Sequence, residues 1–248
     1  MIFPSLDGGA HFGAQLGWAL AVTVGLGVIA RATRSVNTLG SVVGVALTFL
    51  IYVTAGLRPF LGVVAVFGLA WITTRFGYSR KQRLGTAERG RTASQVIANL
   101  IVAAACALLA AFTPWRQMFL MALTAALAEA AADTVSSEFG QARSDAAYLI
   151  TTWERVRAGV DGAISLPGTL AGVAGAVIVS IVCVPGGLIF RHWIAIPAGA
   201  AVLGMFADSY LGAWFERREK MDNDTVNFLS TSVAALLAMV AEKVVDGG

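Results

Sequence analysis

The chain has 248 residues, of which 57% are hydrophobic and 13% charged, and its formal net charge is +3. Soluble domains carry about 25% charged residues, so this chain has roughly half the charge that a water-facing surface needs, and a soluble globule is excluded. Its two histidines (His11, His192) and two cysteines (Cys106 and Cys183, each inside an apolar run) give no basis for a zinc site, a histidine-based triad or a disulfide framework.

Apolar runs bounded by charge predict eight bilayer-crossing segments, at residues 12–30, 39–57, 60–74, 95–112, 115–132, 168–184, 193–211 and 226–240. A spanning helix needs about 20 apolar residues, and the third and eighth runs are expected to extend by a turn. In lipid every backbone N–H needs an internal partner, so these segments are read as helices. The first ten residues hold no Lys or Arg and contain Asp7, so they do not read as a cleaved signal peptide. Small-residue pairs at Gly13/Gly17, Gly40/Gly44 and Gly168/Gly172 mark faces where helices can approach closely.

Charge divides between the two sides of this layout. The loops after the first, third, fifth and seventh runs hold fourteen basic residues: Arg31 and Arg34; Arg75, Arg80, Lys81, Arg83, Arg89 and Arg91; Arg143, Arg155 and Arg157; Arg217, Arg218 and Lys220. The other side holds four: Arg58, Arg116, Arg191 and Lys243. The positive-inside rule then puts the basic loops in the cytoplasm and both termini outside. The expected fold is an all-α, polytopic transmembrane helical bundle of about eight spans. It forms a single domain over residues 1–248, with cytoplasmic loops 75–94, 133–167 and 212–225 building the active site. The pI near 9.1 follows from this asymmetry and does not point to nucleic acid. None of the three lysines follows Gly at P-loop spacing, which excludes a Walker-type ATPase.

Polar residues inside such runs are costly, about 2.5–3.5 kcal/mol for Asp at a helix centre. Glu129 and Asp133 lie four apart on one face of the fifth run, Ser136, Ser137 and Glu138 follow, and Asp208 lies in the seventh. Carboxylates and hydroxyls without His or Cys make a hard oxygen ligand set, which suits Mg²⁺. The fourth, sixth and eighth helices begin on the same side, and helix N-termini favour anions. Arg91, Gln95 and Asn99 stand at the first of these starts. Asp161, Gly162 and Ser165 stand in the Gly-bearing loop before the second, and Asn223 and Asn227 at the third. Lys81 and Arg83 add positive charge. A carboxylate pair for a cation, helix starts for phosphates and basic side chains together are what phosphoryl transfer requires. Each element also has a plainer use: Glu129 as an arginine's partner, Gln95 and Asn99 as interhelical hydrogen-bond glue, Asp161 as a turn residue, Asn223 as an N-cap. Trp153, with Tyr148 and Leu149, suggests a helix lying on the membrane surface.

Five segments carry a resemblance. They are Arg91-Thr92-Ala93-Ser94-Gln95-Val96-Ile97-Ala98-Asn99, Ala132-Asp133-Thr134-Val135-Ser136-Ser137-Glu138-Phe139-Gly140, Gly159-Val160-Asp161-Gly162-Ala163-Ile164-Ser165, Asp208-Ser209-Tyr210-Leu211-Gly212-Ala213 and Asn223-Asp224-Thr225-Val226-Asn227. In this order the chain resembles the integral-membrane phytyl-phosphate kinase family, distantly similar to dolichol kinases and CDP-diglyceride synthases. Val160 stands where the family usually has Thr, and Thr92 where Asn is usual. The first eighty residues match no motif of the family.

The resemblance implies transfer of a phosphoryl group from a nucleoside triphosphate, often CTP, to phytyl or geranylgeranyl phosphate. Asp133, Glu138 and Asp208 would then hold Mg²⁺, and Arg91, Gln95, Asn99, Asn223 and Asn227 would contact phosphates or nucleotide. Asp133, Asp208 and Arg91 are the expected catalytic residues. The expected setting is the cell membrane, with the active site on the cytoplasmic side; a homo-oligomer is compatible with the sequence. Two other readings are a cytidylyltransferase forming a CDP-lipid, which would release pyrophosphate, and an ion-coupled transporter using Glu129, Asp133 and Asp208 as a relay.

Overall fold

A computed structural model describes residues 9–87, 90–184 and 192–246. Arg89 and Arg191 from the charge count, and nearly all of residues 1–10, lie outside the described residues. The long helices are α1 (Gly9–Ala32), α2 (Thr38–Ala55), α3 (Leu57–Arg75), α5 (Ala93–Phe112), α6 (Arg116–Arg143), α7 (Leu166–Cys183), α8 (His192–Trp214) and α9 (Asn223–Asp246). Each of these eight contains a stretch long and apolar enough to cross a membrane. A short helix, α4 (Tyr78–Leu84), interrupts the loop after α3. The predicted third and eighth spans are indeed longer than their apolar cores.

Helix α6 is the pillar of the bundle. It packs against α3, α5, α7, α8 and α9. Its fully buried stretch is rich in alanine, including Ala122, Ala125, Ala126, Ala128 and Ala132, so five neighbours can approach without large side chains between them. The α7 face is closest. A Cβ added at Gly168 would stand 2.7 Å from the Ser136 carbonyl oxygen, and one at Gly172 2.8 Å from that of Ala132. The Gly168/Gly172 pair is therefore a packing motif. At Gly13 and Gly17 nothing among the described residues lies within 4 Å of an added Cβ, so among them that pair brings no helix close. Around the periphery Trp18, Phe112, Leu170, Leu203 and Val240 are exposed, a surface that only lipid covers favourably.

Two expectations change. The fifth helix does not end at residue 132. Nothing between there and Arg143 breaks a helix, and α6 runs 28 residues, about 42 Å at 1.5 Å per residue, longer than the ~30 Å hydrocarbon layer. Residues 133–143 of the expected loop are thus its projecting end. The surface helix around Tyr148 and Trp153 is instead a small antiparallel sheet. It comprises β1 (Ala147–Leu149), β2 (Arg155–Val156) and β3 (Ala163–Ile164), in the order β2-β1-β3. Ala147 and Leu149 face inward and Tyr148 outward, the period of a strand. Leu149 N donates to Glu154 O at 2.9 Å and Ile150 N to Gly162 O at 3.0 Å. Trp153, 70% exposed, occupies the left-handed turn at φ 59°, where a helix cannot continue. The sheet leans on the end of α8: Leu149 and Ile150 cluster with Ala213. Gly162, at φ +74°, lies so close that an added Cβ would stand 2.5 Å from Ala213 Cβ.

Candidate functional site

The start of α5 is pinned from two directions. Thr92 is its N-cap, and Gln95 completes a capping box, its Oε1 accepting from Thr92 N at 2.8 Å. Arg91, just outside, is clamped through its backbone: its N–H donates to Ser35 O at 2.8 Å, and its carbonyl accepts from Asn37 N at 2.9 Å. Its Nη2 lies 3.2 Å from Thr134 Oγ1 on α6. Asn99, one turn on from Gln95, donates to the Gln95 carbonyl at 2.8 Å. At α7, Ser165 is the N-cap and accepts from Gly168 N at 3.2 Å. At α9 the capping side chain is Asp222, which accepts from Thr225 N at 2.9 Å. Asn223 is thereby relieved of the capping role that its position suggested.

These elements enclose a polar cleft of about 190 Å³. Arg91, Gln95 and Asn99 line it from α5, and Asp133 and Glu138 from α6. Asp161, Gly162 and Ser165 come from the loop beside the sheet, Asp208 from α8, and Asn223 and Asn227 from α9. Residues separated by more than a hundred positions thus share one space. Asp133 and Asp208 both line this space.

Two predicted binding residues are not brought in. The Lys81 side chain is 1% exposed and does not line the cleft. Its Nζ donates to the carbonyls of Thr73 at 2.9 Å and Thr74 at 2.6 Å, in the last turn of α3, and to Glu138 Oε2. Thr74 Oγ1 donates to the other Glu138 oxygen at 2.9 Å. The ammonium satisfies a helix C-terminus and neutralises Glu138, so neither is offered to a phosphate or a cation. Arg83 is exposed on α4 and does not line the cleft; its carbonyl accepts from Arg157.

The cleft also contains residues that the sequence reading passed over. Glu216, in the 3-10 turn Glu216–Arg218, lines it. The spacing Asp208, Gly212, Glu216 was the available signal, three positions on one helical face, but it sat in a segment read for its arginines. Gln141 lines the cleft as well, its Oε1 buried and accepting no hydrogen bond among the described residues. One turn deeper than Asp133, Glu129 is 1% exposed and packs against Gly204. Among the described residues it forms no salt bridge with an arginine. Burial holds the Asp161 carboxyl above the usual carboxylate range, and the Arg217 charge opposes this. The hydrogen bonds from Thr225 hold Asp222 below that range.

Among the described residues no three carboxylate, imidazole or thiolate groups form a ready cage for a metal. The donor set still fits Mg²⁺, which is characteristically held by one or two carboxylates, several waters and substrate phosphates. Asp208 Oδ2 is buried and accepts no hydrogen bond among the described residues, and Asp133 lines the same cleft.

Fold and site together define a polytopic membrane protein with a polar, acidic cleft at one end of the bundle. The chain belongs to the family described as integral membrane protein DUF92, which matches residues 21–235. It is 31% identical over 218 residues to the uncharacterized membrane protein MJ0933 of Methanocaldococcus jannaschii, covering 87% of this chain and 89% of that one. It is 32% identical over 199 residues to the uncharacterized membrane protein sll0875 of Synechocystis, covering 78% and 77%. It is 29% identical over 240 residues to Protein VTE6, chloroplastic, of Arabidopsis thaliana, covering 91% and 72%. The integral-membrane family indicated by the five segments is borne out. No solved structure matches the chain.

Proposed function

We propose that this protein is a lipid-phosphate kinase. It transfers a phosphoryl group from a nucleoside triphosphate, CTP first among them, to a prenyl monophosphate such as phytyl or geranylgeranyl phosphate. The observation that carries this reading is the meeting, in one polar cleft, of Asp133, Asp208 and Arg91 with residues at the starts of α5, α7 and α9. An oxygen of the prenyl phosphate attacks the terminal phosphorus of the nucleotide. The bond from that phosphorus to the bridging oxygen breaks, and the electron pair leaves with the nucleoside diphosphate. The attacking oxygen is already ionised, so no strong general base is needed, in keeping with a cleft without histidine. Mg²⁺ held by Asp133 and Asp208 would neutralise charge on the transferring group. Arg91 orients phosphate oxygens, and the backbone N–H groups at the helix starts receive them. Gln95 and Asn99 hold the α5 start in place, and Asn223 and Asn227 supply amide contacts to the nucleotide. In this reading the cleft faces the cytoplasm and both termini lie outside, an orientation supported by the basic loops through the positive-inside rule.

The test is direct. Purified protein with CTP, Mg²⁺ and a prenyl monophosphate should yield prenyl diphosphate and CDP. Release of pyrophosphate with a CDP-lipid would identify a cytidylyltransferase instead. Solute uptake into proteoliposomes without nucleotide would identify a transporter. Absence of product across several prenyl lengths and nucleotides refutes the kinase.

A further inference from the structure

A second cavity, about 770 Å³ in volume, lies beside the cleft among α1, α2, α3 and α5. Its walls are mostly apolar, and along α1, α2 and α3 the lining residues farthest from the mouth are Thr23, Thr48 and Val63. From those residues to Arg34, Thr38 and Arg75 at the mouth it runs ten to twelve residues along three helices, about 15–18 Å at 1.5 Å per residue. That depth is close to half of the roughly 30 Å hydrocarbon layer. The volume falls within the range of small-molecule sites, about 300–1,000 Å³.

The mouth differs from the walls. Arg31, Arg34 and Arg75 stand there with Arg91. Among the described residues Arg31, Arg34 and Arg75 form no salt bridge. The partners of two of them are neutral: Arg31 donates to Thr38 Oγ1 at 3.0 Å, and Arg75 to the Thr33 carbonyl while lying 4.5 Å over the Trp71 ring. Arg91, Gln95 and Asn99 line both this cavity and the polar cleft. A mostly apolar cavity with a cationic mouth thus borders the carboxylate cleft, the two sharing a wall of Arg91, Gln95 and Asn99.

We infer that this cavity holds the hydrocarbon chain of the phosphate acceptor, a single-chain lipid monophosphate whose head meets the arginines and is delivered to the cleft at Arg91. The inference rests on the kinase reading for the identity of the lipid. It gives the first eighty residues, which carry no chemical motif, the work of recognising the chain. The groove selects by length, because a tail gains apolar contact only as far as these walls extend.

A prenyl monophosphate with a diazirine at its tail end, photolysed with the full-length protein in lipid nanodiscs, tests this without relying on turnover. Peptide mapping should find the label on α1, α2 or α3 near Thr23, Thr48 or Val63. An excess of unlabelled prenyl monophosphate should displace at least four-fifths of it. Label spread over the outer faces of α7 to α9, no label, or label displaced by bulk phospholipid but not by prenyl monophosphate would overturn the inference. Displaceable label in the groove of a protein that makes no diphosphate would sink the kinase reading and leave the groove standing. Two variants narrow the groove from different walls, Ala70→Phe and Gly44→Leu. In each, the ratio of kcat/KM for a twenty-carbon over a five-carbon acceptor should fall at least tenfold. An unchanged ratio in both, with the protein folded by its thermal melt, would equally overturn it.

Discussion

Replacing Lys81 by methionine separates two uses of the same charge. The ammonium is 1% exposed and its partner Glu138 is 7% exposed, and both Glu138 oxygens are already engaged, by Lys81 and Thr74. Removing one member of a buried pair leaves an uncompensated charge, at a cost of about 3–5 kcal/mol. In a chain of this size each kcal/mol lowers the melting temperature by about 2–4 °C, so Lys81→Met should melt about 6–20 °C below the parent in detergent. Glu138→Gln should lose stability as well, because it leaves the ammonium without its carboxylate. The double variant should recover at least half of the single-variant loss, since no buried charge is then left unpaired. Part of the loss will remain, because Lys81 also satisfies the Thr73 and Thr74 carbonyls. If Lys81→Met melts with the parent and raises only the KM for nucleotide or lipid, the structural assignment is refuted and the lysine contacts substrate.

Other expectations follow from the geometry. Asp133→Asn and Asp208→Asn should each lower kcat by about two to three orders of magnitude with little change in melting temperature; full activity in both would remove the site assignment. Gly172→Ala should destabilise by about 1–3 kcal/mol, because the new Cβ meets the Ala132 carbonyl at 2.8 Å, while Gly17→Ala should be neutral or stabilising, since nothing among the described residues lies within 4 Å there. Thermal melts of both check the contrast. Asp161 titrates above the usual carboxylate range because it is partly buried, so its ionised form opposes folding at neutral pH. In chelator, Asp161→Asn should melt higher than the parent at pH 7, and the gap should close as the pH falls toward about 4, the ordinary Asp value. Asp222 titrates below that range; its cap stabilises α9 above about pH 4 and is lost as the pH falls through its depressed value. Asp222→Ala should therefore differ most from the parent at neutral pH, by melting temperature.

The bilayer makes part of this fold readable from the chain alone. A helix in hydrocarbon must satisfy its own backbone, so eight apolar runs become eight helices with little freedom to be anything else. The residues of the cleft were readable for a related reason: a carboxylate in such a run is too costly to be incidental, and Asp133, Asp208, Arg91 and Asn227 stood out by position. Interactions without a local period were hidden. Lys81 and Glu138 lie 57 residues apart, and a basic loop gives no sign that one of its lysines turns inward. Strands of two or three residues are too short for alternation to distinguish from a surface helix.

Sequence by itself determined the class of the protein, the number of crossings and the acidic and amide groups available for chemistry, because hydropathy and charge act residue by residue against the bilayer. Only the tertiary structure decided which charges neutralise each other, that Glu216 joins the cleft, and that α1, α2, α3 and α5 enclose a mostly apolar cavity beside it. Those depend on distance between segments, and apolar walls leave no distinctive residue in the chain to announce the space between them.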